Sequence, residues 1–165
     1  MKYDISIIFP CLNEEKTIEE CIVKTKKVMD KTKYKYEIIV SDNGSTDKSV
    51  KIAKKLKARV VSTDIKGYGS ALINGINHAR GKYSVMLDSD CSYNIEDIPS
   101  FIKEINKGYD MVVGNRFNDK SEKNACPFVH RLGAKVLSLY ANILFHAKVK
   151  DYHCGLRIFD TKKVK

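Results

Sequence analysis

The chain has 165 residues, of which 43% are hydrophobic and 30% charged, a composition that excludes a disordered protein and fits one globular domain over residues 1–165. The formal net charge of +10 invites a nucleic-acid or membrane-surface interpretation, but only five of the 30 basic residues are arginine. The lysines are spread along the chain without the arginine and aromatic clusters that base recognition uses. We therefore expect no nucleic-acid partner, while attraction to anionic lipid headgroups remains open.

Compartment and membrane insertion are constrained by the cysteines and by hydropathy. The cysteines are odd in number and form no Cys-x-x-Cys pair; they are Cys11, Cys21, Cys91, Cys126 and Cys154. Reduced thiols are the expectation for such a pattern. The N-terminus runs directly into a strand-like segment without a signal peptide, and no run of about 18 apolar residues could span a bilayer. The sequence predicts a cytoplasmic protein, with peripheral contact to a membrane surface left open.

Short apolar runs alternate with longer helical patterns along most of the chain. The predicted strands cover residues 5–9, 36–40, 58–62, an apolar run from 83 that ends in an acidic pair, and 109–113. The predicted helices cover residues 16–30, 47–56, a third ending at 79, a fourth ending near 107, and 129–146. Ser45 or Thr46 is the predicted cap of the second helix. Residues 149–160 could supply further strands. This alternation predicts an α/β fold with a parallel sheet and right-handed crossovers.

Polar side chains follow three of these strands at the points where the strands end. Asn13 and Glu14 follow the first strand, Asp42 the second, and Asp88 and Asp90 the fourth. Residues two apart in an extended chain point the same way, so the two carboxylates of Asp-Ser-Asp can converge on one hard cation. A competing explanation is that both aspartates only cap the turn into the next helix.

A glycine-containing loop lies between these acidic segments, after the third strand. Gly67 and Gly69 would let the backbone approach a ligand closely, although a plain turn explains two glycines equally well. Ligands of open α/β sheets bind outside the carboxyl ends of the strands. Carboxylates after three strands, with this loop among them, therefore predict a phosphate-bearing ligand held through a divalent ion.

Seven motifs in order along the chain resemble one known family. The first four are Phe-Pro-Cys-Leu-Asn-Glu (9–14), Ser-Asp-Asn-Gly-Ser-Thr-Asp (41–47), Lys-Gly-Tyr-Gly (66–69) and Asp-Ser-Asp (88–90). The last three are Val-Gly-Asn-Arg-Phe (113–117), His-Arg-Leu-Gly (130–133) and Asp-Tyr-His-Cys-Gly-Leu-Arg (151–157). Together they resemble the family 2 glycosyltransferases with the GT-A fold. The last three are similar to the branch that includes dolichol-phosphate mannose synthases and other polyprenyl-phosphate glycosyltransferases.

The resemblance implies a Rossmann-like, nucleotide-sugar-binding fold with a mostly parallel sheet flanked by helices. It also implies an inverting enzyme that moves a hexose, mannose or glucose, from a GDP- or UDP-sugar to a polyprenyl phosphate. The donor would contact residues of the first three loops: Pro10, Asn13, Glu14, Asp42 at the base, Gly67 and Gly69.

The same resemblance implies a metal site and a set of groups around the reacting phosphates. Asp88 and Asp90 would hold Mg²⁺ or Mn²⁺ that bridges the donor diphosphate. Arg116, which follows the fifth strand, and Arg131 would meet the acceptor phosphate or the leaving group, because a planar cation suits phosphate oxygens.

Two departures from the family pattern concern this site. The loop after the second strand commonly reads Asp-Asp-Gly-Ser, whereas this chain has Asp42 followed by Asn43. Dolichol-phosphate mannose synthases often carry glutamine two residues after the second metal-binding aspartate, where this chain has Ser92. Ser92 could bind the ion directly or through water.

The acceptor is predicted less directly than the donor. A lipid phosphate is mostly a ready nucleophile at neutral pH, since its second pKa is near ~6, whereas a hydroxyl acceptor benefits from a carboxylate base. The chain lacks the Gln-x-x-Arg-Trp signature of processive polysaccharide synthases and has no tryptophan. Asp151 is the remaining candidate base, with a turn or salt-bridge role as the alternative. A protein or glycan hydroxyl acceptor and a non-catalytic nucleotide-sugar-binding or membrane-surface module are the competing functions.

The predicted helix over residues 129–146 has a broad apolar face. Leu132, Val136, Leu139 and Ile143 recur at helical spacing. A core-packing helix is the first interpretation of this face, and a helix at the membrane interface that guides a polyprenyl chain is the second.

Overall fold

The computed structural model describes residues 2–115, 128–146 and 149–165, and in its second range it describes side chains at residue 133 and from residue 136 onward. Within these ranges six strands form one sheet: β1 (Tyr3–Cys11), β2 (Tyr36–Asp42), β3 (Arg59–Ser62), β4 (Gly81–Met86), β5 (Met111–Val113) and β6 (Arg157–Asp160). The α-helices there are α1 (Ile18–Met29), α2 (Ser49–Lys55), α3 (Tyr68–His78), α4 (Ile98–Ile105), α5 (Phe128–Phe145) and α6 (Thr161–Val164). A 3₁₀ turn, Ile95–Asp97, precedes α4.

The chain divides into two compact units. The first comprises Met1–Val112 together with Arg157–Lys165, and the second comprises Val113–Leu156. The first unit therefore contains β1 to β4, β6 and the helices α1 to α4 and α6, and the second contains α5.

The sheet has the strand order β3-β2-β1-β4-β6-β5 and is mixed rather than purely parallel. The β1–β2, β1–β4 and β2–β3 pairs are parallel, as the alternation of strands and helices predicts. The β4–β6 pair is antiparallel, and β6 falls within the segment 149–160 that the sequence left as a source of further strands. Because of this direction, Arg157 at the start of β6 lies level with Met86 at the carboxyl end of β4.

The central strand β1 supplies much of the core. Ile5, Ile7, Ile8 and Phe9 have no exposed surface, so consecutive side chains are covered on both faces of the sheet. Such a run is typical of a strand in the middle of a parallel sheet. Each of these side chains contributes about 1.5–3 kcal/mol by leaving water, which fixes β1 and the loop that follows it.

Helix α3 lies unusually close to the sheet because it carries Gly75. A Cβ at this position would lie 2.5 Å from Cγ2 of Ile8 and 3.3 Å from Cβ of Ser41. The missing side chain lets α3 pack directly over β1 and β2. This packing fixes the start of α3, at Tyr68, near the carboxyl ends of those strands.

Helix α5, described within the second unit, does not bury its predicted apolar stripe. Val136, Leu139 and Ile143 are more than half exposed, whereas Ser138 is only 3% exposed. The core-packing interpretation is therefore wrong for these side chains. Among the residues that the structure describes, no helix combines the length and the apolar character that crossing a bilayer requires.

Candidate active site

The carboxyl ends of four strands meet at one edge of the first unit. Cys11 at the end of β1 is in register with Asp42 at the end of β2, and Asp42 is in register with Ser62 at the end of β3. Ile8 of β1 is in register with Met86, the last residue of β4. The loops after these strands therefore start side by side, where ligands of open α/β sheets bind.

The loop after β1 is tied to the loop after β2. Asn13 has a left-handed backbone (φ 59°), and its N–H donates to Oγ of Ser45 at 3.0 Å. Its side-chain Oδ1 accepts the N–H of Thr46 at 2.8 Å. The predicted capping role of Ser45 or Thr46 is wrong, because α2 begins after Lys48 without a side-chain cap. These residues instead hold the two loops together.

Asn43 connects the loop after β2 to the glycine loop before α3. Its Nδ2 donates to the carbonyl of Ile65 at 2.7 Å, and its Oδ1 accepts the N–H of Gly67 at 2.7 Å. An ionised aspartate here could accept but could not donate. The departure from the family's Asp-Asp therefore replaces a carboxylate by a buried amide, which fixes the glycine loop by donating one hydrogen bond to it and accepting another from it.

Asp42 is also engaged by its own loop. Its two carboxylate oxygens accept the N–H groups of Gly44 and Ser45, each at 3.1 Å, and the residue is only 6% exposed. Asp42 lies at the predicted edge, and it fixes the conformation of the loop that follows β2.

The remaining predicted donor residues also lie at this edge. Pro10 is the buried penultimate residue of β1. The Glu14 N–H donates to Oγ of Ser49, and its carboxylate accepts the hydroxyl of Thr17 at 3.0 Å. Gly67 adopts φ 122°, a conformation that favours glycine, and both Gly67 and Gly69 are exposed.

Asp88 and Asp90 follow β4 on an anchored loop. Between them, Ser89 is 3% exposed and donates its hydroxyl to the carbonyl of Pro10 at 2.8 Å. Oδ1 of Asp90 accepts the N–H of Ser92 at 2.9 Å, while the rest of this exposed side chain faces solvent. The buried serine thus fixes the loop to β1, and the carboxylates on either side remain accessible.

Tyr68 is a site residue that sequence reasoning missed. Its hydroxyl donates to Oδ1 of Asp88 at 2.7 Å. Burial, and then the hydrogen bond with Asp88, raise the pKa of Tyr68, whereas Arg157 lowers it. The phenol therefore stays protonated at neutral pH and can orient the carboxylate. The signal in the sequence was an aromatic residue between Gly67 and Gly69.

Arg157 is a second residue that the sequence did not assign to the site. Arg157 lies level with the carboxyl end of β4, and its charge lowers the pKa of Tyr68, so the guanidinium belongs to the same edge of the first unit as the phenol. Among the arginines whose side chains the structure describes, Arg157 is the one at this edge of the first unit. The antiparallel direction of β6 brings it there.

The acidic pair fits a divalent ion that a ligand helps to hold. Within the described ranges, no group of three or more His, Cys, Asp or Glu side chains could form a complete protein metal site. Mg²⁺ is commonly bound by one or two carboxylates, with phosphates and waters completing its shell. Asp88 and Asp90 could supply these two carboxylates, and Ser92 lies on the same loop.

Three predicted catalytic residues belong to the later part of the chain. Arg116 lies outside the described residues, and Arg131 lies in α5 where only the backbone is described. Asp151, in the second unit, has no exposed surface, and its Oδ1 accepts the N–H of His153 at 3.0 Å. This contact is the turn role that the sequence offered as the alternative to a general base.

A cavity of about 270 Å³ lies at the opposite end of the strands, where their amino ends meet. It is lined by the first residues of β1, β2 and β3 and by basic side chains around Glu37. Glu37 is already paired there with Arg59 through Nε and Nη2, at 3.1 and 2.9 Å. We interpret this region as a structural ion pair and not as the predicted nucleotide site.

Solved structures of glucosyl-3-phosphoglycerate synthase from Mycobacterium tuberculosis are similar to this chain. One of them, in complex with Mn²⁺, UDP-glucose and glycerol 3-phosphate, matches with a TM-score of 0.73 and 24% identity. The match covers 97% of this chain and 57% of that chain. At this identity the likeness shows the fold, and it confirms the predicted α/β GT-A fold.

Two curated proteins of Haloferax volcanii are similar in sequence. The low-salt glycan biosynthesis hexosyltransferase Agl6 is 34% identical over 157 residues, and a dolichyl-phosphate hexose transferase is 30% identical over 156 residues. Each alignment covers 94% of this chain, but only 38% of the first protein and 66% of the second. The model of the family "Glycosyl transferase family 2" matches residues 6–165. The chain belongs to glycosyltransferase family 2, as its motif series predicts.

Proposed function

We propose that residues 1–165 act as one catalytic domain of an inverting, metal-dependent hexosyltransferase. The donor is a nucleotide sugar, a GDP- or UDP-hexose carrying mannose or glucose, and the acceptor is a polyprenyl phosphate. Family membership supports the enzyme class, and the name of the dolichyl-phosphate hexose transferase supports the acceptor class.

One observation carries this proposal: two accessible carboxylates lie on a loop that is hydrogen-bonded into the edge where the strands end. Ser89 fixes that loop to β1, and Tyr68 fixes Asp88 to the start of α3. The neighbouring loops are joined by Asn13 and Asn43. A site whose loops are linked in this way holds its ligands with little reorganisation, which is what stabilisation of developing charge requires.

The chemistry of the donor follows from these groups. Asp88 and Asp90 would hold Mg²⁺ or Mn²⁺, which supplies charge stabilisation to the departing diphosphate. Arg157, level with the carboxyl end of β4, adds positive charge on the same edge. The backbone around Gly67, fixed by Asn43, can approach the ligand without a side chain in between. The nucleotide would lie over the loops that carry Asn13 and Asp42.

The acceptor class is supported by the environment of Asp151. A hydroxyl acceptor needs a base that can reach it, whereas this carboxylate is buried and binds a backbone N–H. A lipid phosphate needs no such base, because it is already an anionic nucleophile at neutral pH. The exposed apolar side chains of α5 supply a surface for peripheral contact with the membrane that contains such an acceptor.

The proposal is tested first by ligand binding and then by turnover. A thermal-shift panel of GDP- and UDP-sugars with and without Mn²⁺ should show stabilisation by one donor class only when the metal is present. Transfer from that donor to a short polyprenyl phosphate should follow, and inorganic phosphate and a glycan hydroxyl serve as comparison acceptors. Stabilisation without transfer to any acceptor would favour the non-catalytic nucleotide-sugar-binding module.

Replacing Tyr68 by phenylalanine should weaken the metal site without changing the fold. The substitution removes the hydroxyl that donates to Asp88, and a typical hydrogen bond contributes about 1 kcal/mol net, which corresponds to about fivefold in an equilibrium constant. We expect the Mn²⁺ concentration for half-maximal activity to rise about fivefold, consistent with that energy.

The matched control for this change is Tyr109→Phe, since Tyr109 is exposed to a similar extent as Tyr68 and lies two residues before β5, away from Asp88 in sequence. Both variants should melt at the wild-type temperature. An unchanged Mn²⁺ dependence of Tyr68→Phe would show that the phenol does not position Asp88.

A further inference from the structure

Two cysteines from distant parts of the chain meet beside the acidic loop. Sγ of Cys21, on α1, lies 3.0 Å from Sγ of Cys91, which directly follows Asp90. Cys21 is completely buried, whereas Cys91 is half-buried and therefore reachable from solvent. Both are free thiols in the structure.

We propose that Cys21 and Cys91 form a reversible oxidation site, in which a peroxide closes a disulfide between α1 and the loop that carries Asp88 and Asp90. The cross-link itself does not depend on the proposed transferase activity. Its effect on the acidic loop does, and that part rests on the proposed function.

The two sulfurs are already close to bonding distance, at 3.0 Å. The sulfurs must approach by only about 1 Å to reach the ~2.05 Å of a disulfide. Ile18, Ile22 and Met29 of α1 have no exposed surface, so the helix that carries Cys21 is held firmly in the core. Cys91 lies on a loop and has a left-handed backbone (φ 62°), and its Sγ is 3.8 Å from the carbonyl of Thr17, the residue just before α1. The loop, and not the helix, supplies the movement.

The chemistry balances with one equivalent of hydrogen peroxide. The accessible Cys91 sulfur attacks the O–O bond, forms a sulfenic acid and releases one water. The Cys21 sulfur then attacks the Cys91 sulfur, the S–O bond breaks, and the hydroxyl leaves with the Cys21 proton as a second water. The two thiols lose two electrons and two protons, and the peroxide is reduced to two waters.

The disulfide would alter the metal-binding loop because the two functions share a backbone. Drawing Cys91 toward α1 displaces its neighbour Asp90, whose Oδ1 is held by the N–H of Ser92. Magnesium in particular requires near-ideal ligand geometry, so a displacement of this size should weaken metal-dependent donor binding severalfold.

Peptide mapping tests the cross-link directly. The reduced protein is treated with equimolar hydrogen peroxide, the remaining thiols are alkylated, and non-reducing digests are analysed by mass spectrometry. We expect one cross-linked peptide pair containing Cys21 and Cys91, lighter by two hydrogen atoms and separated again by dithiothreitol.

Cys126→Ser should retain this product, whereas Cys21→Ala and Cys91→Ser should lose it. If Cys21→Ala does not fold, Cys91→Ser decides. Pairing of Cys91 with another cysteine, or its conversion to sulfinic acid without a cross-link, would overturn the proposal.

Nucleotide binding tests the consequence. Calorimetry with Mg²⁺ and the nucleoside diphosphate chosen by the thermal-shift panel should show weaker binding after oxidation, restored by dithiothreitol and insensitive to peroxide in Cys91→Ser. A complete cross-link with unchanged binding overturns the effect on the loop. A reduced protein that binds no nucleotide contradicts the proposed function instead, and the mass spectrum still decides whether the disulfide forms.

Discussion

Replacing Asp90 by asparagine should lower hexose transfer by about 10²–10³-fold, the range found when one group that stabilises transition-state charge is removed. Asparagine keeps an oxygen that can accept the N–H of Ser92, so the loop conformation is preserved. It loses the negative charge that a divalent ion requires from this ligand. Initial rates at saturating donor, measured over a range of Mn²⁺ concentrations, should show the loss at every metal concentration below saturation.

The matched control is Asp97→Asn. Asp97 is an exposed aspartate in the 3₁₀ turn that follows the same loop, and it has a weak contact with Asn94 at 3.4 Å. This variant should retain wild-type activity and wild-type dependence on Mn²⁺. Full activity of Asp90→Asn would remove the acidic pair from the mechanism, and with it the observation on which the proposed function depends.

The aspartates of this site could be predicted from sequence because strand ends are a local property. An apolar run that stops at Asp88 predicts both a strand and the place where that strand ends. The parallel order of β1, β2 and β4 then follows from alternation with helices. Local pattern and global topology agree at these positions, so the predicted place of both aspartates, after the end of β4, agrees with the structure.

The contacts that shape the site were not local. Asn43 and Gly67 are 24 residues apart, and Ser89 and Pro10 are 79 apart. Ser45 looked like a helix cap because capping is the commonest local use of serine, but a distant partner, the N–H of Asn13, takes its oxygen instead. Propensity describes what a residue can do with its neighbours in sequence, and it does not include a second loop brought alongside by the sheet.

The direction of β6 had the same consequence for Arg157. The sequence of a short strand does not show whether the strand pairs in parallel or antiparallel fashion, and the four residues of β6 are too few for a periodic pattern. With β6 antiparallel to β4, the first residue of one strand lies beside the last residue of the other. The arginine thus reaches the acidic edge through topology, which is why the motif that contains it did not predict this position.

Replacing Glu37 by alanine should be among the most destabilising single substitutions in the first unit. Oε1 of Glu37 accepts the hydroxyl of Ser6 at 2.7 Å and the N–H of Arg80 at 2.8 Å, and Oε2 accepts two N–H groups of Arg59. The carboxylate side chain is only 6% exposed, so its loss leaves several donors without their acceptor. Breaking a buried pair costs about 3–5 kcal/mol, and the partial exposure of Arg59 places the expected cost near the lower value.

Thermal and urea unfolding should therefore give a loss of about 3 kcal/mol, with a melting temperature lower by roughly 6–12 °C for a chain of this size. Glu104→Ala is the control, because Glu104 and Lys107 form an exposed pair whose loss should leave the melting temperature unchanged. Glu37→Gln should fall between these results, since it keeps an acceptor for Ser6 but removes the charge that faces Arg59.

Glu37 lies at the amino end of the strands, far from the acidic loop. At temperatures where the Glu37→Ala variant is folded, it should therefore still bind nucleotide with Mn²⁺ as the wild type does. A variant that stays folded but loses metal-dependent binding would contradict this assignment and would mean that the basic cavity takes part in ligand binding.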